Sequence, residues 1–312
     1  MHQILEKIKS ARHIVLITHI NPDADSMGSA SAFYSYILQI QKKVSLFSST
    51  KKIDTRLRFL PWCETLKHQI PPSCDLAISF DCASMKRLGS ELSIDLINFD
   101  HHKSNEHFAM LNIVDPNAIA TTQVVYDYFI SQGVKINPKM ATALYAGLLD
   151  DSQNFISDKT DARSFDMAKV LLEKGADKEK VVSHLFQTSS LSGLRLKGLM
   201  LSAMQLYGDA SIVVHKVSKE MLDSCGAKVS DCEAALEESL FLPTVKVSLL
   251  VCEHAHDSLK GSIRTDGTID ASLIARRYDG GGHLKSAGFY CHNITIEDAC
   301  KNLIKDILEK KR

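Results

Sequence analysis

Short apolar runs separated by amphipathic stretches set the rhythm of the first half of this chain. The runs 13–17, 44–47, 76–80, 96–99 and 111–114 each have the length of a buried strand and are bounded by polar, turn-forming residues. Helical spacing of apolar positions falls between or after them, most clearly over 27–41, 120–131 and 138–149. Wholly apolar strands alternating with helices predict an α/β fold whose N-terminal domain is a doubly wound, mainly parallel sheet. Helical patterns continue over 160–174, closed by Gly175, then over 178–186 and, after the polar break 187–190, over 191–206. From about Asp209 the texture changes. The runs 212–217, 245–251 and 260–264 read as strands of a second sheet, and an amphipathic helix over 296–308 closes the chain. The expected organisation is a domain over 1–187, a flexible linker over 188–208 and a smaller α/β domain over 209–312.

Charge narrows the partners. The 312 residues include 37 basic and 37 acidic side chains, so the formal net charge is zero. Proteins that track long nucleic acid carry a basic surplus, because affinity comes mainly from neutralising phosphates. A nucleic-acid substrate here is therefore expected to be short and met by a local positive patch, with no long nucleic acid as partner. Eight cysteines occur with no Cys-x-x-Cys spacing, which argues against a thiolate zinc site and for small buried hydrophobes in a reducing compartment. The N-terminal residues read as a short amphipathic helix without a secretory apolar core, and no apolar run approaches the ~20 residues of a membrane span. The expectation is a soluble, cytoplasmic protein with no membrane partner.

Candidate chemistry collects at the ends of the apolar runs. His19, Asp23 and Asp25 follow the first, Asp81 the third, and Asp100, His101 and His102 the fourth, while Asp151 closes the segment that starts at Gly147. An isolated aspartate at such a place is usually a helix N-cap or a local turn. Four clusters read as strand ends on one rim of a parallel sheet are not explained that way. Mixed carboxylate and imidazole donors without thiolates point to a dinuclear hydrolase centre, where two ions share a carboxylate. In the second half, Gly280, Gly281 and Gly282 allow close backbone approach to an anion and are expected to form an amide nest, with Arg264 and His283 as charged donors. His254-x-His256 reads as a surface pair rather than a ligand set.

In their order, these motifs resemble the DHH phosphoesterase superfamily, and Gly261-Ser-Ile-Arg264 with Gly280-Gly-Gly-His283 resembles the DHHA1 domain that follows it in that family. The length is similar to the compact NrnA- and DhhP-type members. The resemblance implies that His19, Asp23 and Asp81 bind one metal ion. Asp25, Asp81, His101 and Asp151 would bind the other, with Asp81 bridging. It further implies that Asp100 orients a neighbouring ligand, that His102 faces the scissile phosphate as a catalytic residue beside Asp81, and that Arg264, Gly280, Gly281, Gly282 and His283 bind substrate. The implied cofactor is a pair of Mn²⁺ ions, with Mg²⁺ or Co²⁺ as substitutes. The implied activity is hydrolysis of short oligoribonucleotides to 5′-mononucleotides, and of 3′,5′-bisphosphates such as pAp. A phosphodiesterase for c-di-AMP, pApA or pGpG stands as the alternative, and a non-catalytic nucleotide-binding regulator as the alternative of another class. The resemblance allows a homodimer. Three departures stand out: Asp150 and Gln153 flank the last proposed ligand, so Asp150 competes with Asp151 for that place, and Asp279 replaces a glycine common in relatives. Arg87 fits a family Arg-Leu-Gly feature, either bracing the metal loop or touching substrate.

Overall fold

The computed structural model describes residues 2–254 and 258–310, so His256 of the His254-x-His256 pair lies outside the described residues. The chain divides into two compact units, Met1–Thr188 and Ser189–Arg312.

After α1 (His2–Ser10), the first unit is built on five strands: β1 (His13–Thr18), β2 (Lys43–Phe47), β3 (Leu76–Phe80), β4 (Asp95–Asp100) and β5 (Leu111–Val114). Their order is β2-β1-β3-β4-β5 and every pairing is parallel. β1 and β3 are buried at every position, which is why they read as unbroken apolar runs and not as alternating ones. One face packs against α2 (Ala24–Gln39), α3 (Thr121–Ser131) and α4 (Pro138–Asp151). Phe33 sits at the centre of that core, with the rings of Phe80 and Phe99 both 5.1 Å from it and Phe129 at 5.2 Å. The other face is covered by a smaller cluster including Val15, Ile17, Phe47 and Leu88. The chain reverses its direction of travel across the sheet between β1 and β3, and open α/β sheets bind ligands outside the strand carboxyl ends at such a point.

Two helices set the depth of that crevice. α2 starts at Ala24, three residues before the apolar periodicity, because Asp23 caps it: its Oδ1 accepts the Ser26 N–H at 3.0 Å. α2 and α4 approach closely through glycines, since a Cβ on Gly28 would lie 2.4 Å from the Ala143 carbonyl oxygen. A Cβ on Gly147 would lie 2.8 Å from both Cα and Oδ1 of Asp25. α4 continues past its apolar stretch to Asp151, so Asp151 belongs to a helix C-terminus and not to a strand end as expected. The chain leaves that helix through Gln153, Asn154 and Phe155 with φ of 50°, 58° and 67°, a left-handed turn that non-glycine residues adopt at a cost. Helices α5 (Ala162–Glu173) and α6 (Lys178–Leu185) complete the unit.

The second unit begins with α7 (Leu191–Ala203) and β6 (Gln205–Tyr207), which together occupy most of the segment expected to be a flexible linker. Leu196 and Met200 of α7 are buried with Leu222, Leu236 and Leu250, so the polar residues 187–190 mark a boundary while those after it belong to a core. β7 (Ile212–Val217), β8 (Val247–Glu253), β9 (Ser258–Thr265), β10 (Asp279–Gly282) and β11 (Ser286–His292) join β6 in a sheet ordered β10-β11-β9-β8-β7-β6. Its apolar face packs Val214, Leu249, Ile263 and Phe289 against α10 (Ala271–Ala275) and the amphipathic α11 (Ile296–Lys310). The opposite face carries α7, α8 (Lys219–Cys225) and α9 (Glu233–Ser239). All eight cysteines are free thiols and seven are buried. Among the described residues no helix is long and apolar enough to cross a membrane.

Gly28 offers a direct check on the α2–α4 contact. Gly28→Ala drives a methyl into backbone that cannot yield by a side-chain rotation, so it should cost about 1–3 kcal/mol or more of stability. Chemical denaturation followed by circular dichroism reads this as a lowered midpoint. An unchanged midpoint would show that the helices do not approach as described.

Candidate metal centre

The carboxyl ends of β1, β3 and β4 deliver side chains to the crevice. His19 follows β1, Asp81 follows β3, and Asp100, His101 and His102 come from the end of β4. Asp81 takes a left-handed backbone conformation, φ 60°, and its N–H donates to the Phe99 carbonyl at 2.9 Å, which ties the ends of β3 and β4 together. Aspartate tolerates this conformation better than most residues. Its carboxylate is 5% exposed and sits between the histidines: Oδ2 is 3.3 Å from His19 Nε2, and Oδ1 is 3.6 Å from His101 Nε2 and 3.4 Å from His102 Nδ1.

The helices supply the remaining groups. Asp23 turns one carboxylate oxygen to the α2 cap and the other to His19 Nε2 at 3.3 Å. Asp25 is fully buried, and both its oxygens accept from the start of α3, Thr121 N–H at 2.7 Å and Thr122 N–H at 2.8 Å. The Thr121 hydroxyl donates to Asp81 Oδ1 at 2.9 Å. Asp151 Oδ2 lies 3.2 Å from His101 Nε2, whereas Asp150 Oδ2 accepts the Ala24 N–H at 3.0 Å. The two adjacent aspartates are thus separated by geometry, Asp151 facing the histidine and Asp150 holding the first turn of α2. Three groups result in which donor atoms converge closely enough to hold a metal ion: His19, Asp23 and Asp81; Asp25, His101 and Asp151; and Asp81, His101 and His102.

The donor set fits a cation. His19 Nδ1 is 2.8 Å from the Ile20 carbonyl and His101 Nδ1 is 3.3 Å from the Ala118 carbonyl, so each ring donates through Nδ1 and turns Nε2 toward carboxylate oxygens. A bare lone pair facing carboxylates is repulsive unless a proton or a metal ion lies between. For His19 burial works against the charged form, but hydrogen bonds to Asp23 and Asp81 outweigh it and push the ring up to about 10. Burial lowers His101, and the Asp81 charge only partly offsets it. Burial drives Asp25 well above the usual carboxylate range, with Asp81 and Asp23 adding like-charge repulsion. Asp151 is raised in the same way by burial and by Asp25 and Asp81. Asp150 is pushed up to about 6, chiefly by burial and then by Asp23.

Asp100 and His102 form a different kind of pair. Asp100 is fully buried, and its Oδ1 accepts His102 Nδ1–H at 2.7 Å and the His101 N–H at 2.8 Å, while Oδ2 accepts from the Asn105 amide. Burial opposes ionisation of Asp100, but the bonds from His102 and Asn105 win and hold it below the usual range. That hydrogen bond in turn raises His102, whose side chain is 43% exposed.

Thr121, Thr122 and Asn105 were not apparent from the sequence as site residues. The Ala120-Thr121-Thr122 start of α3 had the composition of a helix entry, but nothing local shows that its amides meet Asp25, 96 residues away. Arg87 braces the first loop through its backbone, its carbonyl accepting the Ile20 N–H at 2.9 Å. In the second unit the glycines 280–282 form strand β10 rather than a nest, paired with β11 as Gly281 with Gly288 and Gly282 with Ala287. His283 and Ser286 close the hairpin, with His283 N–H donating to the Ser286 carbonyl at 2.7 Å. Arg264 of β9 pairs with Glu233.

Comparison with known proteins agrees with this fold. Residues 13–148 match the DHH family, N-terminal domain. A bifunctional oligoribonuclease and PAP phosphatase, NrnA, of Thermus thermophilus is 28% identical over 315 residues, covering 99% of this chain and 94% of that protein. A probable bifunctional oligoribonuclease and PAP phosphatase of Streptococcus mutans is 25% identical, covering 97% of this chain and 98% of that one. The crystal structure of an exopolyphosphatase-related protein from Bacteroides fragilis shares the fold, with a TM-score of 0.89 at 24% identity, covering 99% of this chain and 95% of that one. The match falls on the unit whose strand ends carry the aspartates and histidines, so residues 13–148 form a DHH family N-terminal domain.

Proposed function

We propose that this phosphoesterase is a Mn²⁺-dependent phosphodiesterase that hydrolyses short oligoribonucleotides to 5′-mononucleotides, with adenosine 3′,5′-bisphosphate as a further substrate. The observation that carries the proposal is the position of Asp81, whose carboxylate faces His19, His101 and His102 within 3.6 Å. His19, Asp23 and Asp81 would hold one ion, and Asp25, Asp81, His101 and Asp151 the other. Oxygen and imidazole donors without thiolate suit Mn²⁺, with Mg²⁺ or Co²⁺ as substitutes. When bound, such a pair supplies a water acidic enough to attack phosphorus and neutralises charge on the phosphoryl oxygens.

The chain's own residues do the rest. Asp100 holds His102 by Nδ1 and favours its protonated form, which leaves Nε2–H to donate to an oxygen of the scissile phosphate. Thr121 fixes the Asp81 carboxylate through its hydroxyl. Arg264, His283 and the glycines Gly280, Gly281 and Gly282 would bind substrate. The balanced net charge favours a short substrate over a long one, and the activities named for the Thermus and Streptococcus relatives support the same class.

The direct test is a product time course with Mn²⁺ over diribonucleotides, short RNA, adenosine 3′,5′-bisphosphate and long structured RNA. Mononucleotides should accumulate from the short substrates, and efficient degradation of the long RNA would refute the assignment. Asp81→Ala should lose at least one bound ion by elemental analysis and abolish turnover with the fold intact by circular dichroism. Near-normal Mn²⁺-dependent activity in that variant would rule out a bridging role. His101→Ala should lower metal content, whereas His102→Ala should keep it and reduce kcat by roughly 10²–10⁴. Equal metal loss in both variants would remove the distinction between them.

A further inference from the structure

On the second sheet, directly opposed residues share a face. Ser262 and Arg264 of β9 lie on the side away from the α10–α11 core, opposite Gly288 and Ser286 of β11, with Gly281 of β10 opposite Gly288. A Cβ on Gly281 would meet nothing within 4 Å, and one on Gly288 only the Gly261 carbonyl oxygen at 3.8 Å. This part of the face is therefore a bare backbone floor with open space above it. Arg264 stands at its margin, and its guanidinium is not idle: Nη2 donates to Glu233 Oε2 at 2.5 Å and Nη1 to the Ile263 carbonyl at 3.2 Å. Glu233 is fixed from its other oxygen, where Oε1 accepts the Ser262 hydroxyl at 3.3 Å. The carboxylate and the guanidinium are 37% and 22% exposed, so the pair borders solvent, where a ligand can reach it.

We propose that Glu233 is a specificity-determining residue: by neutralising Arg264 it tunes the glycine-floored face to a monoanionic phosphodiester or an uncharged nucleotide end, and against a dianionic terminal phosphate. The inference rests on the reading above in which Arg264 contacts substrate. A guanidinium carries five N–H groups, and two are engaged here, so three remain to hydrogen-bond a diester oxygen without displacing Glu233. A terminal phosphate carries close to two negative charges at neutral pH. It gains less from an arginine already paired and is repelled by the adjacent carboxylate. The face thereby favours the body of a short oligonucleotide over a bisphosphate.

The test compares ApA with the same dinucleotide carrying a terminal phosphate at either end, pApA and ApAp. Calorimetric titration of the full chain freed of metal with a chelator gives affinities without turnover, for wild type, Glu233→Gln, Glu233→Asp and Arg264→Ala. Glu233→Gln should improve binding of the phosphorylated dinucleotide whose end lies on this face by about tenfold relative to ApA, the scale of one partly exposed like charge removed. With Mn²⁺ the same shift should appear in KM and not in kcat. Glu233→Asp keeps the charge and should keep the wild-type preference. If Glu233→Gln leaves the ratio of affinities unchanged, or weakens all three ligands as Arg264→Ala does, Glu233 only orients the arginine and the proposal is wrong. If Arg264→Ala changes none of the affinities, the underlying placement of substrate on this face has failed instead.

Discussion

Mutual repulsion among the buried carboxylates is the constraint around which the first unit is arranged. Asp25, Asp81 and Asp100 are buried, Asp151 is partly so, and the four come from separate parts of the chain to one crevice. Three of them are answered by different devices. Asp25 is held by two amides at the open N-terminus of α3, where unsatisfied N–H groups and the helix dipole favour negative charge. Asp100 is held by His102 and Asn105, and stays ionised. Asp151 has His101 facing it at 3.2 Å, and with Asp25 it carries the strongest pressure toward the protonated form. The groups least satisfied by the protein are those to which a divalent cation would contribute most.

The scaffold that brings these charges together depends on two small residues. Gly28 and Gly147 let α2 and α4 approach until Asp25 and Asp151 can share His101 as a neighbour. A larger residue at either place would separate the helices, and the carboxylates with them. The switch point of the sheet fixes the other half of the centre, because the register of β1, β3 and β4 places His19, Asp81 and Asp100 at strand ends. Backbone pairing thus decides which side chains meet, and helix packing decides how closely.

The pattern of apolar residues was enough to place the five strands of the first sheet, because buried parallel strands leave no polar position to interrupt them. It was less informative where function and structure overlap. Asp23 is both an N-cap and a neighbour of His19, so the ordinary and the chemical reading of that residue hold together. Asp151 reads as a strand end because helical periodicity stops at position 149, while the backbone helix runs two residues further. The contacts of Thr121 and Thr122 with Asp25 and Asp81 were invisible for a different reason: they are made by backbone amides and one hydroxyl across long sequence separation, and no local pattern encodes them. In the second unit the short strands β10 and β11 were hidden by their glycines, which weaken any strand signal.

Those glycines also show why composition alone reads β10 as a loop. A run of three suggests a loop whose amides wrap an anion, yet the strand has its own steric reason for them. A Cβ on Gly280 would lie 2.4 Å from both the Gly288 carbonyl oxygen and the Phe289 Cβ, and one on Gly282 would lie 2.4 Å from the Ser286 carbonyl oxygen. On the neighbouring strand the Phe289 ring lies over Gly261, where a Cβ would come within 1.9 Å of it. Two of the three glycines in β10 therefore serve the pairing with β11, and Gly281 alone has open space. Successive N–H groups of this extended edge strand point in opposite directions, so the three amides do not converge as a nest would, and charge on this face lies in side chains. Arg264 is one cation on that face, and its charge is moderated by the carboxylate it holds.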